Sequence, residues 1–144
     1  MKKIVCMVVV VLMIAAVAIA AKKVKIAEKD LPGLKGTWVG ILSFGVMEGA
    51  TSPAKLEILN DTVPVKARLT VEKMPKELAS HWGIETPGGQ AVAESDDGVI
   101  TSQGTLMWTG PAKNFFEITL QDNKKLSLWY FFRGLKGDAT LKKK

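Results

Sequence analysis

Few residues in this chain have the type and spacing that chemistry needs. There is one histidine, His81, one tyrosine, Tyr130, and one cysteine, Cys6. A nucleophilic triad would have to use His81, yet no Gly-x-Ser-x-Gly turn exists to present a serine to it. His81 adjoins Trp82 and reads as a surface or packing residue. A zinc site is disfavoured too, because a single histidine without thiolates leaves only carboxylates as ligands. Glu94, Asp96 and Asp97 form the densest acidic cluster, which could in principle hold calcium or act as a carboxylate pair. They lack the oxygen-ligand rhythm of a calcium loop, and Asp96-Asp97-Gly98 has the composition of a hairpin turn. Pro87-Gly88-Gly89 is a corner with no Gly-Lys-Ser/Thr after it to make a phosphate loop. Asn60-Asp61-Thr62 fits a glycan acceptor on an exposed tip. The expectation is a protein that is not an enzyme, with no catalytic residues, no metal and no cofactor.

The segment ahead of these residues sets the compartment. Lys2 and Lys3 precede an uncharged apolar run from Ile4 to Ala21, and Lys22 and Lys23 close it. Ala18-Ile19-Ala20 has the small-x-small spacing of a signal-peptidase site, so cleavage after Ala20 is the leading reading. An uncleaved anchor is the alternative, since eighteen apolar residues in helix reach about 27 Å, close to the hydrocarbon thickness. Either way the rest of the chain is expected outside the cytoplasm, periplasmic or extracellular, and membrane-anchored if the signal stays. Cys6 lies within this segment, so residues 21–144 hold no cysteine and must rest on a hydrophobic core. Those 124 residues suit one domain. We divide the chain into a signal or anchor over 1–20, a lead-in over 21–35 and a β-domain over 36–144.

The formal charge of +6 invites a nucleic-acid reading, but eight of the twenty basic residues sit at the chain ends. Residues 26 to 141 keep twelve basic and all fourteen acidic residues, a balance of −2. No basic stripe with interleaved aromatics runs along that body, which disfavours nucleic acid as a partner. The basic chain ends have the charge to touch an anionic lipid surface through a weak, salt-sensitive attraction, but solvated tails are the expectation, so the membrane enters only through the signal or anchor segment.

From Gly36 onward the dominant signal is alternation with period two, the mark of strands with one buried face. In the clearest stretch Val65, Ala67, Leu69 and Val71 face one way while Lys66, Arg68, Thr70 and Glu72 face the other. Further strands are predicted over 37–46, 54–59, 63–73, 90–94, 99–102, 105–109, 114–121, 125–133 and 138–142. Asn60-Asp61, Asp96-Asp97-Gly98, Gly110-Pro111, Asp122-Asn123 and Gly134 to Gly137 mark turns between them. One short helix is predicted over Pro75 to Gly83, with Leu78 and Trp82 on one face. The fold class is therefore all-β: a small antiparallel barrel or sandwich of about seven to nine strands with one short helix, preceded by the N-terminal hydrophobic helix.

Leu126-Ser127-Leu128-Trp129-Tyr130-Phe131-Phe132 departs from simple alternation, because Trp129 and Phe131 are apolar on the face opposite Leu126, Leu128, Tyr130 and Phe132. Burying such side chains is worth about 2 kcal/mol each, so something should cover Trp129 and Phe131. The protein's own helix or lead-in, a partner subunit and a ligand are the candidates. Phe115 and Phe116 repeat the pattern more weakly.

Gly36-Thr37-Trp38-Val39-Gly40-Ile41 resembles the Gly-x-Trp opening of the first strand in calycin barrels, the lipocalins and avidins among them. The resemblance implies a closed antiparallel barrel in which a basic side chain from a late strand packs across the first-strand tryptophan, a cation–π contact worth about 1 kcal/mol. Arg133 over Trp38 is the candidate, with Lys142 second. An avidin-type ligand asparagine is missing, because Val39-Gly40 stands there, so biotin binding is not implied.

A closed barrel of about eight strands either fills its centre with side chains or encloses one small ligand. The leading expectation is an exported, non-enzymatic barrel that binds an apolar or amphipathic small ligand through Trp38, Leu69, Trp108, Leu128, Tyr130 and Phe132. The alternative is an envelope or protein-interaction module with a solid core, whose contact surface is the outer face of Trp129 and Phe131. A protein partner or a second copy of the chain would then be the occupant.

Overall fold

The computed structural model describes residues 20–45, 47–81, 89–110, 114–132 and 134–144, with the side chain of His81 outside that set. Most of the signal segment, Cys6, Val46, Trp82, Pro87-Gly88 and Arg133 therefore lie outside the described residues. The nine strands are β1 (Lys23–Val24), β2 (Gly36–Phe44), β3 (Thr51–Ile58), β4 (Val65–Val71), β5 (Ala91–Ile100), β6 (Leu106–Gly110), β7 (Asn114–Gln121), β8 (Leu126–Phe132) and β9 (Leu135–Lys143). From β2 to β9 each strand pairs antiparallel with the next, and β9 returns to pair with β2, Trp38 opposite Lys143 and Phe44 opposite Gly137. The result is a closed eight-stranded up-and-down barrel, which decides between the two all-β architectures in favour of the barrel. This closure is compatible with the calycin-type look of Gly36-Thr37-Trp38.

Alternation accounts for the interior. Leu56 and Ile58 on β3, Val65, Ala67, Leu69 and Val71 on β4, and Leu126, Leu128 and Tyr130 on β8 all turn inward and are buried. A residue two positions on returns to the same face of a pleated strand, so each of these runs lines the centre.

The lead-in closes one end of the barrel, which we call the lower end. It has no sustained period because it is built from single turns: a 3-10 turn over Glu28–Asp30 runs into α1 (Leu31–Leu34). Ile26, Leu31 and Leu34 plug the opening, each at most 3% exposed. The Trp38 indole N–H donates to the Leu34 carbonyl at 2.7 Å, tying plug to wall. β1 extends the β7 ladder beyond the end of β6, with Lys23 opposite Gln121. At the upper end α2 (Lys76–His81) spans from β4 towards β5, within the 75–83 expected from sequence, of which Trp82 and Gly83 lie outside the described residues, and buries Leu78 and Ala79 beside Met74.

The Asp96-Asp97-Gly98 turn is the main correction. β5 runs unbroken through these residues, so the two strands predicted over 90–94 and 99–102 are one. The pairing of β5 with β4 slips here, Val65 facing Gly98 while Ala67 faces Ser95, which is a β-bulge rather than a reversal. The Asp97 carboxylate holds it in place by accepting from the Ser95 hydroxyl and from the Thr109 hydroxyl and amide. Burial alone would raise this carboxyl, but the hydrogen bonds outweigh it and hold the group below the usual aspartate value. Gly98 is glycine for a separate reason: the buried Trp108 indole N–H reaches across it to the Val65 carbonyl at 2.8 Å. A Cβ at Gly98 would overlap the indole nitrogen and sit 2.6 Å from that carbonyl oxygen.

Asn60 likewise has a structural task. Its side-chain amide donates to the carbonyls of Thr62 and Pro64, at 3.0 and 3.1 Å, and its oxygen accepts from the Lys66 amide at 2.6 Å. The nitrogen a glycan would occupy is thus holding the β3–β4 connection. The last strand also begins earlier than expected, at Leu135, so that only Gly134 of the predicted Gly134 to Gly137 turn lies before it.

Candidate functional site

The barrel interior is unequal along its length. In its lower and middle part large side chains meet: Trp108 stacks on Phe116 with ring centres 5.0 Å apart and planes 20° apart. Leu106, Phe116, Ile118, Leu126, Leu128 and Leu141 have no exposure at all. In the upper part Ala91 and Ala93 of β5 leave room, because a methyl stands where other strands supply a branched or aromatic group. There Leu69 and Val71 of β4, Ala91 and Ala93, Asn114 of β7, and Tyr130 and Phe132 of β8 line a cup of about 220 Å³.

Gln90 and Val92 complete the lining, and two buried polar groups mark this cup. The Asn114 side-chain oxygen is buried and has no hydrogen-bond partner among the described residues. An acceptor left in that state costs about 1–3 kcal/mol, which a bound donor would recover. The Tyr130 phenol is 4% exposed, and burial pushes its ionisation well above the ordinary tyrosine range, so it stays neutral. An apolar wall, one orphan acceptor and a neutral phenol can bind and orient a small amphipathic molecule. They offer no nucleophile.

Of the expected ligand residues, Leu69, Tyr130 and Phe132 come together at the cup. Trp38, Trp108 and Leu128 are buried in the packed part below and do not line it. The cation over the Trp38 ring is Lys143, 5.6 Å from the ring centre, and its ammonium also donates to the Gly33 carbonyl at 2.6 Å. Arg133 lies outside the described residues. Lys142 points away from the centre because Leu141 beside it faces in, so strand parity gives the contact to its neighbour. The cup residues that sequence reasoning missed are Ala91, Ala93 and Asn114. Their signal was present only as small or polar residues at inward positions of otherwise apolar strands.

On the outside, Trp129 and Phe131 are half-buried because they lie on each other and on Phe115. Ring centres are 4.8 Å apart for Phe115 and Trp129, 5.3 Å for Phe115 and Phe131, and 6.3 Å for Trp129 and Phe131. Cross-strand neighbours therefore supply part of the cover that the aromatic strand demands. Below this cluster an outer groove of about 620 Å³ runs past Trp129, floored by Glu117, Thr119 and Ser127 and walled by Lys23, Lys25 and Gln103.

The acidic cluster does not assemble into a centre. Glu94 pairs with Arg68 at 2.6 Å on the outer surface, and Asp97 is occupied by Ser95 and Thr109. Among the described residues no three His, Cys, Asp or Glu side chains gather in a way that could hold a metal ion. No protein-family model matches the chain and no curated protein matches its sequence, so the reading of this site rests on its own geometry.

Proposed function

We propose that this chain is an exported, non-enzymatic calycin-like barrel that holds a small amphipathic ligand in the cup beneath α2. The observation that carries the reading is the buried Asn114 oxygen, which has no hydrogen-bond partner among the described residues, in a recess otherwise lined mainly by apolar side chains. The volume bounds the ligand. An apolar cavity of about 150 Å³ accommodates benzene, so about 220 Å³ suits a single ring with a short substituent or a short acyl chain. Fatty acids of full length and polycyclic ligands exceed it. The polar end should carry a hydrogen-bond donor, a hydroxyl or an amide N–H, to meet Asn114. Export is supported by the Lys2-Lys3 and Ile4 to Ala21 pattern and by the lack of cysteine beyond it.

Titration calorimetry with phenol-sized alcohols and short-chain alcohols and amides tests this. Binding should appear for members with a donor, and Asn114→Val should weaken it about ten-fold, the worth of one hydrogen bond. The same substitution should leave the unliganded barrel unchanged or about 1 kcal/mol more stable, because it removes a buried orphan acceptor. A panel in which no compound binds, or in which Asn114→Val changes nothing, rejects the reading.

A second reading is favoured by the Phe115–Trp129–Phe131 cluster and the groove beside it. Here the outer face of β7 and β8 meets a protein partner or a second copy of the chain, as aromatic surface clusters often do. Replacing Trp129 and Phe131 together by serine should abolish self-association or partner capture. An unchanged oligomeric mass and unchanged capture would leave this face without that role.

A further inference from the structure

We infer that the lower end of the barrel is a docking surface for an anionic lipid bilayer. The two lysine clusters that sequence alone assigns to opposite chain ends come together there. Lys22, Lys23 and Lys25 arrive along β1 and the plug, where the Lys22 carbonyl accepts from the Asp122 amide at 2.9 Å and Lys23 faces Gln121. Lys142, Lys143 and Lys144 arrive along β9, where the Lys144 amide donates to the Thr37 carbonyl at 2.9 Å. Lys29 and Lys35 flank α1, and Lys124 and Lys125 form the β7–β8 turn between the two groups. All of these are exposed except Lys125, which is half-buried.

Acidic groups at this end do not balance them. They are Glu28, Asp30, Glu57, Asp61 and Asp122, and three already have partners: the Asp30 carboxylate accepts from the Ala27 amide at 2.9 Å, Glu57 lies 3.5 Å from Lys55, and Asp61 lies 3.9 Å from Lys35. The upper end carries a near balance among the described residues, Glu48, Glu72 and Glu77 against Lys73, Lys76 and Lys136. The charge asymmetry therefore runs along the barrel axis.

Two further observations select a membrane as the occupant. The apolar run Ile4 to Ala21 joins the barrel at this end, so a bilayer that holds the run, even transiently, faces the lysines. Between the lysines lies a cleft of about 440 Å³ lined by the apolar Leu34, Trp38 and Leu120, by Lys29, Lys124 and Lys143, and by Asp30, whose carboxylate accepts from the Ala27 amide. Cations beside apolar side chains match the boundary between lipid phosphate and acyl chain. The inference does not depend on the cup, which lies at the other end.

The test uses the full chain in two kinds of vesicle, phosphatidylcholine alone and phosphatidylcholine mixed with phosphatidylglycerol. Lysines are acylated briefly and read by peptide mass spectrometry, normalised to Lys73 and Lys76 in the same sample. With phosphatidylglycerol, Lys124, Lys142 and Lys144 should react about ten-fold more slowly than with phosphatidylcholine alone. High salt, which shortens the Debye length to about 3 Å, should remove the difference. The joint substitution of Lys124, Lys125, Lys142 and Lys144 by glutamate, which spares the packed Lys143, should remove the difference at the lower-end lysines that remain, Lys22, Lys23, Lys29 and Lys35. Equal labelling of the lower-end lysines in the two vesicle types, or equal protection at Lys73 and Lys76, overturns the inference.

Discussion

Gly98→Ala is expected to destabilise the barrel by about 3 kcal/mol or more, read from urea unfolding curves. Two costs combine in that figure. The added methyl must displace the Trp108 indole, which is fully buried and stacked on Phe116, so the core is overpacked at a cost of about 1–3 kcal/mol. Displacement also parts the indole N–H from the Val65 carbonyl and leaves two buried polar groups unpaired, adding about 1–3 kcal/mol. The mechanism has its own check in a double-mutant cycle. In a Trp108→Phe background the indole N–H is already gone and the smaller ring leaves space, so Gly98→Ala should cost much less than in the parent. Gly33→Ala is the comparison, because a Cβ there meets nothing within 4 Å and sits in α1. It should be neutral or stabilise by up to about 1 kcal/mol. Equal costs at Gly98 and Gly33, or a Gly98→Ala cost unaffected by Trp108→Phe, would sink this account.

Gly40→Ala should be about as damaging, and at a defined place. A Cβ on Gly40 would overlap the Thr140 carbonyl oxygen and come 2.9 Å from Leu141 Cδ2. A backbone oxygen cannot rotate away as a side chain can, so β2 and β9 must part around this point. That seam is where the barrel closes. A loss of about 3 kcal/mol is expected, with a fall in Tm of roughly 10 °C. Hydrogen exchange separates this from a diffuse loss of stability. Amides of the β2–β9 ladder should lose protection first, while those of the β3–β4 ladder, from Ala54 opposite Val71 to Ile58 opposite Ala67, keep theirs. Uniform loss over both ladders would show that the seam is not the weak point.

The strands were largely legible in the sequence, since alternation such as that at Val65 to Val71 is imposed by having one wet and one dry face. Closure was not legible in the alternation, because the pairing of Trp38 with Lys143 joins residues from the two ends of the domain; only the resemblance carried by Gly36-Thr37-Trp38 implied it. Asp96-Asp97-Gly98 misled for a definite reason. The residues that favour a tight turn also suit a bulge, and the partners that decide the matter, Thr109 and Trp108, come from the next strand. The Lys143 contact with Trp38, by contrast, could have been found by carrying the parity of Ala139 and Leu141 two residues further. The cup was out of reach. It arises where alanines on β5 face Tyr130 and Phe132 across the barrel, and an alanine carries no sign of the space it leaves.

Pairing β2 with β9 also determines how this protein can meet others. Among the described residues β2 is paired along both of its sides, with β3 and with β9, and the added strand β1 offers only two residues. Strand addition by a foreign peptide, and the sheet-to-sheet growth that leads to fibrils, thus find no template at the β2–β9 seam. A partner that meets the barrel along this seam must be read by side chains.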